Sequence, residues 1–337
     1  MNIEKPTRYV IYGAGAMGIP IAGLLAAAGQ RVVCVARPAH AEALARGVLI
    51  KEDGREWIAR SGAVTKASDL VPERTDVAII TVKSQATELA VKELADAYGT
   101  TLPVVCLQNG VSNEGIAARS FDTVYAGLLY FSAVQIDPSV ITLPQGRTVA
   151  IGCYPNGLDD VARQICSDLT RAGLDAIASA HVMAMKWGKL VANLNNATTA
   201  ITGYFLERAM ADVEMRKLML AVREEGLRVL DAAGIAVEPP ADEPSPIRIR
   251  EMTEKLRQPL KKRVDPENFD EDQRTYSSMW QDLFLGRESG EAEFLNGEIV
   301  ALGKRLGIET PYNSTLLEIV SSMFKTKATT ALIPDPR

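Results

Sequence analysis

The 337-residue chain has little with which to build a metal centre. It contains two histidines, His40 and His181, and four cysteines, Cys34, Cys106, Cys153 and Cys166. That scarcity argues against zinc chemistry and against a Ser-His-Asp triad. The cysteines are scattered, mostly in or beside apolar runs, and no pair has metal-ligand spacing. Free buried thiols in a reducing compartment are the expectation. No apolar run reaches membrane-spanning length, because charges, proline or glycine interrupt each candidate. The opening residues, Met1-Asn2-Ile3-Glu4-Lys5-Pro6, lack the basic and apolar regions of a secretion signal. A cytoplasmic protein with no membrane partner follows. There is no excess of positive charge: the net charge of −5 argues against a nucleic-acid partner. There is no internal repeat. Acids and bases are therefore expected from Lys, Glu, Asp, Tyr or Cys.

What is present is an ordinary globular composition, 47% hydrophobic and 23% charged, on a chain long enough for two domains. Near its start an apolar run, Tyr9-Val10-Ile11-Tyr12, leads into Gly13-Ala14-Gly15-Ala16-Met17-Gly18. An alanine- and leucine-rich helix to Gly29 follows, then a second strand, Arg31 to Ala36, expected to be buried on both faces. This is the strand, glycine turn and helix of a dinucleotide-binding unit. Gly13 would allow the tight turn, Gly15 the approach of a pyrophosphate, and Gly18 the close packing of helix on strand. The phosphates would sit at the helix N-terminus. An NAD-preferring fold usually ends its second strand in Asp or Glu, but here Arg37 and Pro38 stand there, with no acid before Glu42. Arginine suits the additional 2′-phosphate of NADP.

Further on, Pro38–Gly47 reads as a helix, and 48–51 and 56–58 as a hairpin across Asp53-Gly54. Buried strands are predicted at 76–82 and 103–107, separated by a helix over 86–98. Extended segments follow at 124–134, 140–143 and 148–152, then a helix at 158–173 and an edge strand at 175–178. Alternation of strand and helix implies a parallel, doubly wound sheet with ligands at the carboxyl ends of its strands. Lys83-Ser84-Gln85 and Gln108-Asn109-Gly110 stand at two such ends. Turn chemistry alone also accounts for Asn109-Gly110, less readily for a lysine abutting a buried strand.

From His181 helical periodicity dominates, which places a boundary near Ser179 and gives domains 1–179 and 180–330. The segment 237–272, with its proline cluster and Lys261-Lys262-Arg263, reads as a loop or a partly ordered insertion. No heptad pattern demands a homodimer through the helical half, though one is compatible with it. Met185 to Ala197 has helical length yet carries Asn193, Asn195 and Asn196. On a continuous helix Lys189, Asn193 and Asn196 fall within roughly 60° of one another, with Asn195 pointing elsewhere. A polar stripe facing a cleft is one reading; a solvated face is the other. Ser277 and Ser278 could cap a helix beginning near Met279, and Glu291 and Glu293 precede another.

These segments, in this order, resemble the ketopantoate reductase (2-dehydropantoate 2-reductase) family over essentially the whole chain. The resemblance rests on Gly13-to-Gly18, Val82-Lys83, Gln108-Asn109-Gly110, Trp187-Gly188-Lys189-Leu190-Val191-Ala192-Asn193, Ser277-Ser278-Met279-Trp280-Gln281-Asp282 and Glu291-Ala292-Glu293-Phe294-Leu295-Asn296-Gly297. It implies an α/β Rossmann-type N-terminal domain plus a mostly α-helical C-terminal domain like that of 6-phosphogluconate dehydrogenase. It implies NADPH as cofactor and reduction of ketopantoate to pantoate, on the route to pantothenate and coenzyme A. By the same resemblance Lys189 is the general acid and Glu291 pairs with it or with a substrate hydroxyl. Asn193 and Asn196 would hold substrate oxygens, Ser278 would bond the carboxylate, and Lys83 and Asn109 would line the cofactor end, with Asn109 reaching the substrate. The chain departs from the family pattern around Asn196 and Ala197, around Ser289 to Glu293, and in the length of 237–272. All three lie on the substrate side. Another 2-keto acid, or an opine-type reaction, therefore stays open as the chemistry, and a non-catalytic NADPH-binding regulator as a different class.

Overall fold

The alternation within the first strand, β1 (Arg8–Tyr12), sets the architecture of the first half of the chain. Tyr9 and Ile11 point into one apolar cluster, Val10 and Tyr12 into another. A strand with apolar residues on both faces must be covered on both. The structure is a computed structural model describing residues 7–143, 146–258 and 274–326, apart from the Ile136 side chain.

After β1 come α1 (Gly18–Ala27), β2 (Arg31–Val35), α2 (Pro38–Arg46), β3 (Val48–Glu52), β4 (Arg55–Ala59) and β5 (Gly62–Val64). Then follow β6 (Asp76–Ile80), α3 (Thr87–Tyr98), β7 (Val104–Cys106), α4 (Asn113–Ala117) and β8 (Val124–Leu129). The series closes with β9 (Val134–Asp137), β10 (Val140–Leu143), β11 (Thr148–Cys153), α5 (Asp160–Arg171) and β12 (Asp175–Ala178). The main sheet runs β12-β11-β8-β7-β6-β1-β2-β5. Its pairs are parallel except for β8 with β11. Helices α1 and α5 supply Ile21, Leu25, Ile165 and Leu169 to one face, and α3 supplies Ala90, Val91 and Leu94 to the other. Strand order reverses at β1, so the glycine turn sits at the topological switch point, where such sheets bind ligands.

Asp168 of α5 is buried under this sheet, and Tyr9 donates its hydroxyl to it at 2.6 Å. Gln164 and Arg171 complete its partners. A buried carboxylate with three donors avoids the ~1–3 kcal/mol cost of an unsatisfied group.

The hairpin expected across Asp53-Gly54 is present as β3 and β4, and β9 and β10 extend it into a separate sheet, β4-β3-β10-β9. Two expectations need correction. The extended segment 124–134 is two strands in different sheets, because all of β8 is buried whereas Ser132 after it is exposed. Strand β2 is only half-buried over Arg31–Val33, since a single short strand, β5, flanks it on the outer side. The segment 237–272, expected as a loop or a partly ordered insertion, contains the helix Ile249–Arg257, which buries Ile249, Thr253 and Leu256. Its later part, 259–272, with Lys261-Lys262-Arg263, lies outside the described residues, as do 327–330 of the expected second domain.

The chain forms two compact units. One runs to Met183 and includes Pro239–Pro246; the other takes Ala184–Glu238 and resumes at Ile247. Within the first, Ser179 donates its hydroxyl to Glu243 at 2.7 Å, and His181 lies 3.5 Å from the same carboxylate. The second half of the chain is helical among the described residues after β12. Its helices are α6 (Val182–Asn193), α7 (Asn195–Thr202), α8 (Leu206–Ala211), α9 (Val213–Ala232), α10 (Ile249–Arg257), α11 (Ser278–Phe284), α12 (Asn296–Leu306) and α13 (Pro311–Thr326). The long α9 packs against α7, α8, α10, α12 and α13.

Candidate active site

In the first unit the three glycines have different neighbours. Gly13, at φ 106°, leaves β1 in a conformation that L side chains rarely adopt. A Cβ there would lie 2.6 Å from Val82 Cγ1, and one on Gly18 would lie 2.4 Å from Gly13 O. Thr81 Oγ1 locks the turn by donating to Gly13 O at 2.8 Å. Gly15 is different: a Cβ would meet nothing closer than Gln135 Oε1 at 4.0 Å. Protein packing therefore demands glycine at 13 and 18 but not at 15, where the space stands open. Ala14, Ala16 and Met17 complete the turn, and α1 begins with no side-chain cap and no acid in its first turn. An open backbone approach beside an uncapped helix N-terminus fits the pyrophosphate of a dinucleotide.

Arg37 follows β2, is exposed, and stands at the N-cap of α2. One turn on, His40 is buried; desolvation and the charge of Arg37 push its pKa down, while a hydrogen bond with Gln135 opposes them. Lys83 and Asn109 stand at the carboxyl ends of the adjacent strands β6 and β7. Ser84 and Gln108 of the two polar triplets, with Thr87 and Asn113, tie these two ends together. Gln108 Nε2 donates to Val82 O at 2.8 Å and to Thr87 Oγ1 at 2.7 Å. Ser84 Oγ and Asn113 Nδ2 donate to Asn109 O at 3.2 and 2.8 Å, and Thr87 in turn donates to Asn113. Gln108 is expected from sequence only as part of a polar triplet at a strand end; its bonds depend on strand neighbours that no local pattern reveals.

The other expected residues lie in or next to helices of the second unit. Lys189 and Asn193 are on α6, Asn196 on α7, Ser278 on α11, and Glu291 just before α12. Lys189 is half-buried, and its pKa falls from 10.5 to about 8. Desolvation is the largest cause, the ammonium of Lys186 the next, and the carboxylate of Glu291 opposes both. Lys186 is a residue the sequence reading did not single out; it is 2% exposed. Glu291 is buried too.

One expectation changes: Lys189, Asn193 and Asn196 do not share a single helix, because the segment breaks at Leu194. The break sorts the three asparagines. Asn195 is buried, with its amide between Met219 O and Arg223 Nε at 3.3 and 3.0 Å. Asn193 and Asn196 are half-buried, and among the described residues their side-chain amides have no hydrogen-bond partner. Ser278, the first residue of α11, is exposed. Its neighbour Ser277 caps α11 by accepting from Trp280 N, and donates to Asn196 O at 3.3 Å. So the serine that touches the asparagine segment is Ser277, which sequence reading had treated only as a cap.

The chain matches the model of ketopantoate reductase PanE/ApbA over residues 9–156 and that of its C-terminal domain over 181–324. The chain belongs to the ketopantoate reductase family. Like other ketopantoate reductase family members it is an oxidoreductase with a Rossmann-like unit and a helical one. It is 31% identical over 317 residues to the 2-dehydropantoate 2-reductase of Archaeoglobus fulgidus, covering 93% of this chain and 96% of that protein. It is 28% identical over 318 residues to that of Pyrococcus horikoshii, with the same shares of each chain covered. The structure of a family member from Ralstonia eutropha JMP134 matches with a TM-score of 0.80 at 26% identity, over 95% of this chain and 99% of that one. D-mandelate dehydrogenase with NADH and anilino(oxo)acetate shares the fold, with a TM-score of 0.80 at 22% identity and coverage of 95% and 99%.

Proposed function

We propose that this ketopantoate reductase family member reduces a small 2-keto acid, 2-dehydropantoate first among them, to the 2-hydroxy acid with NADPH. The observation that carries the reading is Lys189: a half-buried ammonium lowered to about 8, under the influence of the Glu291 charge, on the same stretch as the free amides of Asn193 and Asn196. Neither the lysine nor the glutamate is needed merely to hold a nucleotide, which disfavours a non-catalytic regulator.

In this proposal the first unit holds the dinucleotide. Gly13, Gly15 and Gly18, with Ala14, Ala16 and Met17, let the backbone meet its pyrophosphate. Arg37 pairs with the adenosine 2′-phosphate, which favours NADPH over NADH, and Lys83 and Asn109 line the nicotinamide side. When bound, the cofactor supplies the hydride. The second unit holds the keto acid. Ser278 donates to its carboxylate, and Asn193 and Asn196 orient its oxygens. As negative charge builds on the carbonyl oxygen, Lys189 Nζ donates a proton to it. Burial lowers the lysine enough to release a proton near neutrality, yet leaves it mostly charged there. Glu291 holds the ammonium or a substrate hydroxyl in place. Four free cysteines, three of them buried, suit a cytoplasmic location.

The test follows NADPH by its near-ultraviolet absorbance with 2-dehydropantoate and a panel of small keto acids. Turnover is expected, and Lys189→Ala should lower kcat by about 10²- to 10⁴-fold with cofactor affinity intact. No turnover of any keto acid despite tight NADPH binding would sink the enzyme reading. Turnover of a different keto acid alone would move the substrate assignment.

A further inference from the structure

Asn296 belongs to the Glu291-to-Gly297 motif, yet no step of the reaction uses it. It is fully buried. Its Nδ2 donates to Leu194 O at 3.1 Å, bridging 102 positions in sequence, and to Asn313 Oδ1 at 2.9 Å. Its Oδ1 has no partner among the described residues, so the side chain is held by its donor. Asn313 Nδ2 donates to Glu225 Oε1 at 2.8 Å, and both oxygens of Glu225 also accept from the backbone at the start of α13. Leu194 is the residue between α6 and α7.

A second side chain reaches the same break. Arg223 on α9 donates to Ala192 O at 3.4 Å and, through Nε, to Asn195 Oδ1. It is 8% exposed, and desolvation lowers its pKa to about 10. No carboxylate pairs with it among the described residues. Buried cations are costly unless compensated. The compensation here is the carbonyl end of α6, where a helix dipole favours positive charge. An apolar side chain could fill the same volume without that cost, but it could not grip the break.

We propose that Arg223 and Asn296 are positioning residues for substrate binding. They hold the carbonyls of Ala192 and Leu194 and anchor Asn195, and so fix the direction in which Asn193 and Asn196 present their free amides to the keto acid. The inference rests on the proposed role of those two asparagines. It explains why three asparagines stand at a helix junction: one ties the junction to α9, and two are left for the ligand. A buried network of this kind, which ties two carbonyls and one amide of the junction to α9 and α12, specifies one arrangement of the backbone it holds.

The experiment compares the full-length wild type with Arg223→Met, Arg223→Lys and Asn296→Ser by hydrogen exchange and by kinetics, well below each variant's melting temperature. In Arg223→Met and Asn296→Ser, amides 193–198 should exchange at least about tenfold faster while the middle of α9 stays protected. KM for the keto acid should rise about tenfold, kcat should fall less, and NADPH affinity should stay within about twofold. Arg223→Lys should restore part of the protection, since one ammonium can reach one of the two acceptors. Adding Arg223→Met to Asn193→Ala/Asn196→Ala should weaken keto-acid binding no further, as expected for residues acting in series. A lowered melting temperature with unchanged exchange at 193–198 and unchanged KM would overturn the proposal. Should the wild type turn over no keto acid, the functional reading falls, and the exchange data alone decide whether these two side chains hold the break.

Discussion

Replacing Lys186 by methionine should move the pH at which the reduction fails. Lys189 must carry its proton to donate it, so the rate of reduction falls as pH rises through its pKa. With that value at about 8, nine in ten of the lysines are charged at about pH 7 and only about one in ten at pH 9. At its ordinary 10.5, about 97% would still be charged at pH 9. The wild type should therefore lose most of its activity between about pH 7 and pH 9, whereas an unperturbed lysine would lose almost none. The quantity to follow is kcat/KM, which reports the substrate-free enzyme, measured by NADPH consumption across that range. Methionine keeps the volume and apolar stem of Lys186 but removes the charge that repels Lys189, so the midpoint moves upward. Glu291→Gln removes the charge that attracts, so the midpoint moves downward. Oxidation of the hydroxy acid needs the neutral amine and should rise with pH through the same midpoint. A wild-type profile flat to about pH 9, or a midpoint that stays in place in Lys186→Met, would refute this account of the lysine.

Two further substitutions separate holding the cofactor from holding the fold. Gly15→Ala should leave the melting temperature within about 2 °C and weaken dinucleotide binding about tenfold or more, because the new Cβ meets no protein atom closer than Gln135 Oε1 at 4.0 Å and enters the space assigned to the phosphates. Gly18→Ala should instead cost about 1–3 kcal/mol of stability by overpacking against Gly13 O, read as a drop in thermal midpoint. Arg37→Ala should weaken NADPH about 10- to 100-fold, the worth of one or two charge-assisted bonds, with little effect on NADH in parallel titrations; equal weakening of both removes the phosphate role.

The first half of the fold was legible because its signals are local. An apolar run, Tyr9–Tyr12, followed by glycines at fixed spacing can be read within twenty residues. The hairpin at Asp53-Gly54 is a signal of the same kind. What escaped depends on distant partners. Within Met185 to Ala197 the asparagines weaken the helix but do not place the break at Leu194, since the groups that grip it, Arg223 and Asn296, come from elsewhere in the chain. Lys186 carries no signal in the sequence of the burial that the fold gives it. The helix α10 was hidden by its proline-rich approach and its charge: only three of its nine residues are buried. Pro239–Pro246 belongs to the first unit although it lies far along the chain, and Glu243 there meets Ser179, a pairing 64 positions apart.

That last pairing limits how this chain can be cut and rejoined. The peptide passes from one unit to the other three times, after Met183, after Glu238 and after Pro246. A fragment ending at Met183 would carry Ser179 and His181 without the carboxylate they share, and a chimera joined only at that point would inherit Pro239–Pro246 from the wrong parent. Exchange of helical halves between relatives, to move substrate preference onto this nucleotide-binding half, therefore calls for two grafted pieces, with eight residues of the recipient left between them.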